Sequence, residues 1–172
     1  STLHTNDAVT SAMRLLDLGV DGYLAAASLR AVMAQRLVRR ICDNCCSDDT
    51  PQAQEMILLK AMLSADRLAG IQFKKGRGCQ ACNHTGYKGR VGVFELLEIN
   101  ESMADALRRN DSSGFTKAAM ASPDFKTLIH VALEYAEQGV TTLEEVLRVA
   151  EQIDETADET PQLVATEPVD ND

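Results

Sequence analysis

Four of the five cysteines stand as two Cys-x-x-Cys pairs, Cys42/Cys45 and Cys79/Cys82. Each pair offers two sulfurs to one ion, and four thiolates at about 2.3 Å close a tetrahedron around Zn2+ with no position left for a substrate. The expected zinc is therefore structural, with Cys42, Cys45, Cys79 and Cys82 as its ligands. Cys46 keeps the first pair open to question, because Cys42/Cys46 is also within reach; the regular spacing favours Cys45. Disulfides and reduced core cysteines are the bland alternatives, disfavoured by the paired spacing and by a chain that reads as cytosolic. A redox dithiol would need an exposed, low-pKa thiol at a helix start, whereas Cys42 follows a helical pattern. A tetrathiolate zinc carries surplus negative charge, and Arg39, Arg40, Lys74, Lys75, Arg77, Lys88 and Arg90 flank the pairs. Gly78 and Gly86 bracket the second pair and allow amides to turn toward sulfur.

These ligands need elements to carry them. Asn6-Asp7 precedes Ala8, Val9, Ala12, Met13, Leu15 and Leu16, with Gly19 behind, and this predicts a capped first helix. Asp21-Gly22 predicts a longer second one, in which Ala25, Leu29, Met33, Leu37 and Ile41 recur every four residues as a buried stripe that runs up to the cysteines. Thr50-Pro51 suits the cap and first position of a helix through Met56, Leu59, Met62 and Leu63. From Ile71 to Ile99 glycines punctuate short extended segments ending in Val91-Gly92-Val93-Phe94. Three further helices are expected: Glu101 to Arg109, Phe125 to Gln138, and Thr142 to Val149. In the last, Thr141 or Thr142 caps while a Glu three positions on reaches back.

The 172 residues are 45% hydrophobic and only 4% aromatic, which fits a mainly α fold with a small β-hairpin and zinc-knuckle subdomain. The net charge of −9 is concentrated after Ala150, where eight acidic residues meet no Lys or Arg. Residues 151–172 therefore read as a disordered acidic tail, and the body is near neutral. A near-neutral body with few aromatics gives little support to nucleic-acid binding. An independent zinc-ribbon-like adaptor for protein or nucleic acid is the alternative to the reading that follows. No run approaches the ~20 apolar residues of a membrane-spanning helix. The opening without Met, inside a motif-like stretch, predicts a piece of a longer protein.

In order along the chain, Ser1-Thr2-Leu3-His4-Thr5-Asn6-Asp7-Ala8 resembles a histidine box, and Ala34-Gln35-Arg36-Leu37-Val38-Arg39-Arg40 resembles the lead into a tetracysteine motif. Behind the cysteines come Thr85-Gly86-Tyr87-Lys88-Gly89-Arg90 and Thr141-Thr142-Leu143-Glu144-Glu145-Val146-Leu147-Arg148. Together these resemble the C-terminal part of the type II secretion and type IV pilus assembly ATPases, the GspE/PilB family, leaning to a pilus member of the MSHA type. The resemblance implies a P-loop RecA-like ATPase, a cytoplasmic homo-hexamer at the inner membrane that uses ATP and Mg2+ to drive a membrane platform protein. It implies four segments: residues 1–41 at the edge of the ATPase core, 42–92 as the zinc subdomain, 93–150 as a helical subdomain, and 151–172 as the tail. It also implies a catalytic role for His4 near the γ-phosphate or attacking water, with Thr2 and Thr5 assisting, although capping explains Thr5 almost as well. Arg36, at the edge of the apolar stripe, reads equally as a nucleotide-phosphate contact or as the partner of a carboxylate, with Arg14 a weaker candidate of the same sort. The chain contains no Gly-x-x-x-x-Gly-Lys-Ser/Thr loop to grip phosphates, so by itself it is expected not to hydrolyse ATP. His84 is expected in a turn, superfluous beside four cysteines, and His130 in an exposed pair with Glu134.

Overall fold

The computed structural model describes residues 2–3 and 5–154. His4 and the acidic tail beyond Asp154 lie outside the described residues.

Asp7 opens α1 (Ala8–Asp17) by accepting from the Thr10 amide, as the sequence predicts. Asp21 caps α2 (Gly22–Ser28) in the same way. The helix then stops, and residues expected to continue it form the strand β1 (Ala31–Ile41). A four-residue spacing is a multiple of the two-residue repeat of a strand, so the stripe satisfies either geometry. Its partner decides: β1 pairs antiparallel with β4 (Tyr87–Glu98) over nearly its whole length, matching Met33 with Leu96, Arg36 with Val93 and Ile41 with Tyr87. The inner face of this ribbon carries Ala34, Val38, Val93 and Leu97. Met33 and Leu37, expected in the core, are 62% and 58% exposed on the other face, beside Phe94 and Leu96 at 46% each.

Between the two strands the chain makes an excursion. It runs through β2 (Cys46–Asp48), α3 (Ala53–Met62), α4 (Ala65–Ala69), β3 (Lys74–Gly76) and a 3-10 turn at Gln80–Cys82. Strands β2 and β3 pair antiparallel, which brings the two cysteine pairs side by side. Helix α3 starts two residues later than Thr50-Pro51 suggests, because the Glu55 carboxylate accepts from the Gln52 amide at 2.6 Å and fixes the start there.

After β4 come α5 (Glu101–Arg108), α6 (Ser112–Met120), α7 (Leu128–Glu137) and α8 (Leu143–Asp154). Helix α6 was not expected; Asp111 caps it through the Gly114 amide, and Phe115 and Ala119 bury its inner face. Thr127 caps α7, so that helix begins at Leu128 rather than Phe125. Residues 151–154, expected in the tail, are the last turn of α8. The core lies between the inner face of the ribbon and these helices, with Leu107, Phe115, Leu128 and Val146 fully enclosed.

Glu95 lies in that core at 1% exposure, between Val93 and Leu97 on the inner face of β4. Its Oε1 accepts from the Ala8 amide at 2.7 Å and its Oε2 from the Leu128 amide at 2.8 Å. One carboxylate thus caps the first residues of two helices, α1 and α7, where backbone donors have no partner inside the helix. Burial raises its pKa against the lowering effect of both amides, with the Asp7 charge adding to the rise.

Candidate metal centre

The cysteine pairs are held by backbone. The Cys42 amide donates to Gly86 O at 2.9 Å, and the Arg77 amide to Cys45 O at 3.0 Å, so each knuckle is bonded to the other. Gly76 and Gly86 make this approach possible: a Cβ on Gly86 would stand 2.4 Å from Gly76 O, and φ there is +79°. Beyond the second pair, Asn83 and His84 both take left-handed backbone, at φ 50° and 62°, and turn the chain back. His84 is exposed, a turn residue as expected.

This scaffold brings together the Sγ atoms of Cys42, Cys45, Cys79 and Cys82, all within 4.8 Å of one another. Cys46 is exposed on β2 and outside the cluster. The separations are 3.9 Å for Cys42 to Cys79, 3.8 Å for Cys45 to Cys82 and 3.7 Å for Cys79 to Cys82. A disulfide needs sulfurs about 2.05 Å apart, so none of these pairs is bridged. Thiolates about 2.3 Å from a zinc at the centre of a tetrahedron stand about 3.8 Å from each other. The donor set and its spacing therefore fit a four-coordinate, closed thiolate site.

Amide donors are aimed at the sulfurs. Cys82 Sγ accepts from the Cys79 amide at 3.2 Å and from the Gly86 amide at 3.3 Å. Burial alone would raise the Cys82 pKa, but these two donors and the neighbouring thiols outweigh it and bring it down to about 6. Cys45 is pushed up to about 12, by burial first, although Gly78 donates to it, because its three sulfur neighbours also raise it. Four crowded thiols cannot all ionise without a cation to balance them.

The cations expected to provide that balance are largely engaged elsewhere. Arg40 pairs with Asp43, Lys74 with Asp48 and Lys75 with Asp49. Arg39 turns to α8: Nε and Nη2 meet Glu145 Oε1 at 3.0 and 2.9 Å, Nη2 meets Glu144 at 2.8 Å, and the guanidinium stacks 3.9 Å over the Tyr87 ring. Glu145 also accepts from the Arg39 amide and pairs with Arg148. Thr142 does cap α8, through the Glu145 amide at 3.3 Å. The Glu145 side chain, expected to return to the cap, reaches across to β1 instead.

Arg36, the expected nucleotide contact, is half-buried on β1, and its Nη2 donates to Asn6 Oδ1 at 2.6 Å. It borders a hollow of about 450 Å³ together with Thr2, Thr5, Ser11 and Leu29. Its Nε is shielded from solvent without an acceptor among the described residues. Arg14 is exposed on α1. His130 does not pair with Glu134; its Nδ1 meets Thr127 Oγ1 at 2.7 Å, and Glu134 holds Lys126.

Sequence reasoning found the four sulfurs but not Glu95 or the Arg39–Glu145 clamp. Glu95 had a visible signal, an acidic residue in a β-prone stretch at the same parity as Val93 and Leu97. The role of Arg39 had none, since its partners lie more than a hundred residues away in the chain.

Comparison with known proteins covers nearly the same span as the described structure. Residues 1–148 match the family model described as Type II/IV secretion system protein. The type IV pilus assembly ATPase PilB of Thermus thermophilus is 40% identical over 147 residues, 86% of this chain and 16% of that protein. The type II secretion system protein E of Klebsiella pneumoniae is 39% identical over 152 residues, 88% of this chain and 29% of that protein. The pilus assembly ATPase TfpB of Acinetobacter baylyi is 38% identical over 152 residues, 87% of this chain and 25% of that protein. The chain thus spans between a sixth and a third of the length of these relatives. With its match running from the first residue into α8, the chain belongs to the Type II/IV secretion system protein family, and its relatives here are type IV pilus assembly ATPases and a type II secretion system protein E.

Proposed function

We propose that this chain is the zinc-braced C-terminal module of a RecA-like hexameric ATPase that powers type IV pilus assembly or type II secretion. The observation that carries the metal reading is the 3.7–3.9 Å spacing of the sulfurs, which matches the edge of a zinc tetrathiolate. Cys42, Cys45, Cys79 and Cys82 hold the ion, whose closed coordination makes it a brace rather than a reagent. In this reading residues 42–92 form the zinc subdomain, residues 1–41 edge the ATPase core, and the helical subdomain runs from residue 93 to the end of α8 at Asp154, with the tail after it. Motor action, ATP and Mg2+, the ring, the inner-membrane platform partner and the cytoplasmic location all belong to the longer protein. Among the described residues no helix is long and apolar enough to cross a membrane.

Two features support docking onto the rest of such a protein. A two-stranded ribbon with one free face is expected to turn polar residues outward, yet β1 and β4 turn out Met33, Leu37, Phe94 and Leu96. A contiguous apolar face of this kind marks an interface. The second is the Arg36 hollow, where a buried guanidinium Nε without an acceptor among the described residues and the hydroxyls of Thr2 and Thr5 suit a phosphate. His4 is assigned to the chemistry at that phosphate.

The test has two arms. Metal analysis of protein purified without chelator is expected to return one zinc per chain, and a fully folded, metal-free sample would refute the brace. In the longer protein, Arg36→Ala is expected to reduce ATP hydrolysis by about tenfold or more, whereas the 172-residue chain alone hydrolyses none. An Arg36→Ala enzyme of unchanged activity removes the nucleotide assignment and leaves the zinc reading standing.

A further inference from the structure

Helix α8 is fastened to the mouth of the metal centre by side chains that neither the metal nor the core requires. Arg39 and Tyr87 sit on the two paired strands next to the ligand pairs, three residues before Cys42 and one after Gly86, whose amide donates to Cys82 Sγ. The Ile41 amide donates to Val140 O at 2.9 Å, and Thr141 Oγ1 to Arg39 O at 2.8 Å, which ties the approach to α8 onto the same end of β1. Tyr87 Oη meets Thr142 Oγ1 at 2.9 Å and Glu144 at 3.2 Å, while its ring carries the Arg39 guanidinium. Glu145, only 3% exposed, takes the Arg39 amide at 2.6 Å and its Nε and Nη2.

We propose that Arg39 and Tyr87 couple occupancy of the four-cysteine centre to docking of α8, so that metal binding and seating of the C-terminal helix reinforce each other. This rests on the zinc reading above. The physical reason is the geometry of the strand ends. The Cys42 to Gly86 hydrogen bond is the rung that joins the ligand knuckles, and it is followed by the Ile41–Tyr87 pair and, past a register shift, by Arg39 opposite Arg90. An ion holding the sulfurs at tetrahedral spacing keeps that rung closed, and with it the stack of Arg39 on Tyr87 that presents a pre-formed fork to Glu145. When the knuckles part, Tyr87 and Arg39 separate, and the buried Glu145 carboxylate loses the guanidinium that reaches it from β1, keeping only the same-helix pair with Arg148. That outcome is costly enough to expel the helix end rather than leave Glu145 in place. By linkage the effect runs both ways: whatever loosens α8 must weaken the metal by the same factor.

The test uses the 172-residue chain, with zinc affinity measured by competition against a chelator and hydrogen exchange followed with and without zinc. Chelation is expected to speed exchange in residues 143–153 as well as in 42–86. Arg39→Lys, which keeps the charge but loses the planar fork, is expected to weaken zinc about tenfold with one zinc still bound. Tyr87→Phe, a milder change that leaves the ring in place, is expected to weaken it in the same direction. Glu134→Gln, which removes an exposed pair on α7, serves as the control and should leave affinity unchanged. Zinc affinity within twofold of wild type in both Arg39→Lys and Tyr87→Phe overturns the coupling. So does exchange in α8 that ignores chelation while the cysteine segment opens. A wild-type chain that binds no zinc overturns the metal reading itself, which is a different result from tight zinc with an indifferent helix.

Discussion

Replacing Glu95 by Gln tests whether one buried carboxylate organises the helical half of the molecule. The substitution preserves shape and keeps one acceptor, but sets an NH2 group against a backbone N–H. Either Ala8 N, now 2.7 Å from Oε1, or Leu128 N, 2.8 Å from Oε2, loses its partner inside the core. An orphaned buried donor costs about 1–3 kcal/mol, and losing the negative charge at two helix N-termini adds about 0.3–1 kcal/mol for each. Against this, the neutral amide escapes the desolvation that raises the Glu95 pKa. The net expectation is a loss of about 2 kcal/mol at neutral pH. With zinc saturating, urea unfolding should show it as a midpoint lower by about 1 M for a slope near 2 kcal/mol per M. The pH dependence has a fixed sign. A carboxyl whose folded pKa lies above its unfolded value binds more protons folded than unfolded, so its contribution falls as pH rises through that interval. The advantage of wild type over Glu95→Gln should therefore be fully present at and below the ordinary glutamate pKa and narrow as pH rises through the raised folded value. A variant as stable as wild type at neutral pH, or a gap that widens with rising pH, would refute the assignment of Glu95 as the shared cap of α1 and α7.

Two further outcomes follow from the metal centre. Cys46→Ser should retain one zinc per chain, since Cys46 stands exposed outside the sulfur cluster, whereas Cys45→Ser should hold it at least about tenfold more weakly; chelator competition separates them. Gly86→Ala should destabilise the chain by about 1–3 kcal/mol, through left-handed backbone and a Cβ 2.4 Å from Gly76 O. Thermal unfolding and zinc content, read together, should both fall.

The local features were legible in the residues themselves. Two Cys-x-x-Cys pairs predict a four-sulfur cluster because a tetrahedral thiolate site needs that number and spacing, whatever lies between, and the four sulfurs do converge. The caps of α1 and α2 were equally readable, since Asp7 and Asp21 bond to amides two or three residues away. Spacing favoured Cys45 over Cys46, but the close partners of Cys45 come from the far knuckle, and the choice is visible only in the folded cluster.

Tertiary structure decided what depends on distant partners. Residues 31–41 carry a repeat that serves a helix and a strand alike, and only pairing with the distant β4, from Ala31 opposite Glu98 to Ile41 opposite Tyr87, makes them a strand. The same pairing turned Met33 and Leu37 outward and set Arg36 on the inner side. Glu95 reads as an ordinary surface acid until two helix N-termini arrive from residues 8 and 128. Arg39 reads as a counter-charge for sulfur until α8 brings Glu145 to it. In each case the energy comes from a hydrogen bond or ion pair whose partners are set by the path of the whole backbone, and short-range sequence patterns carry no record of that path.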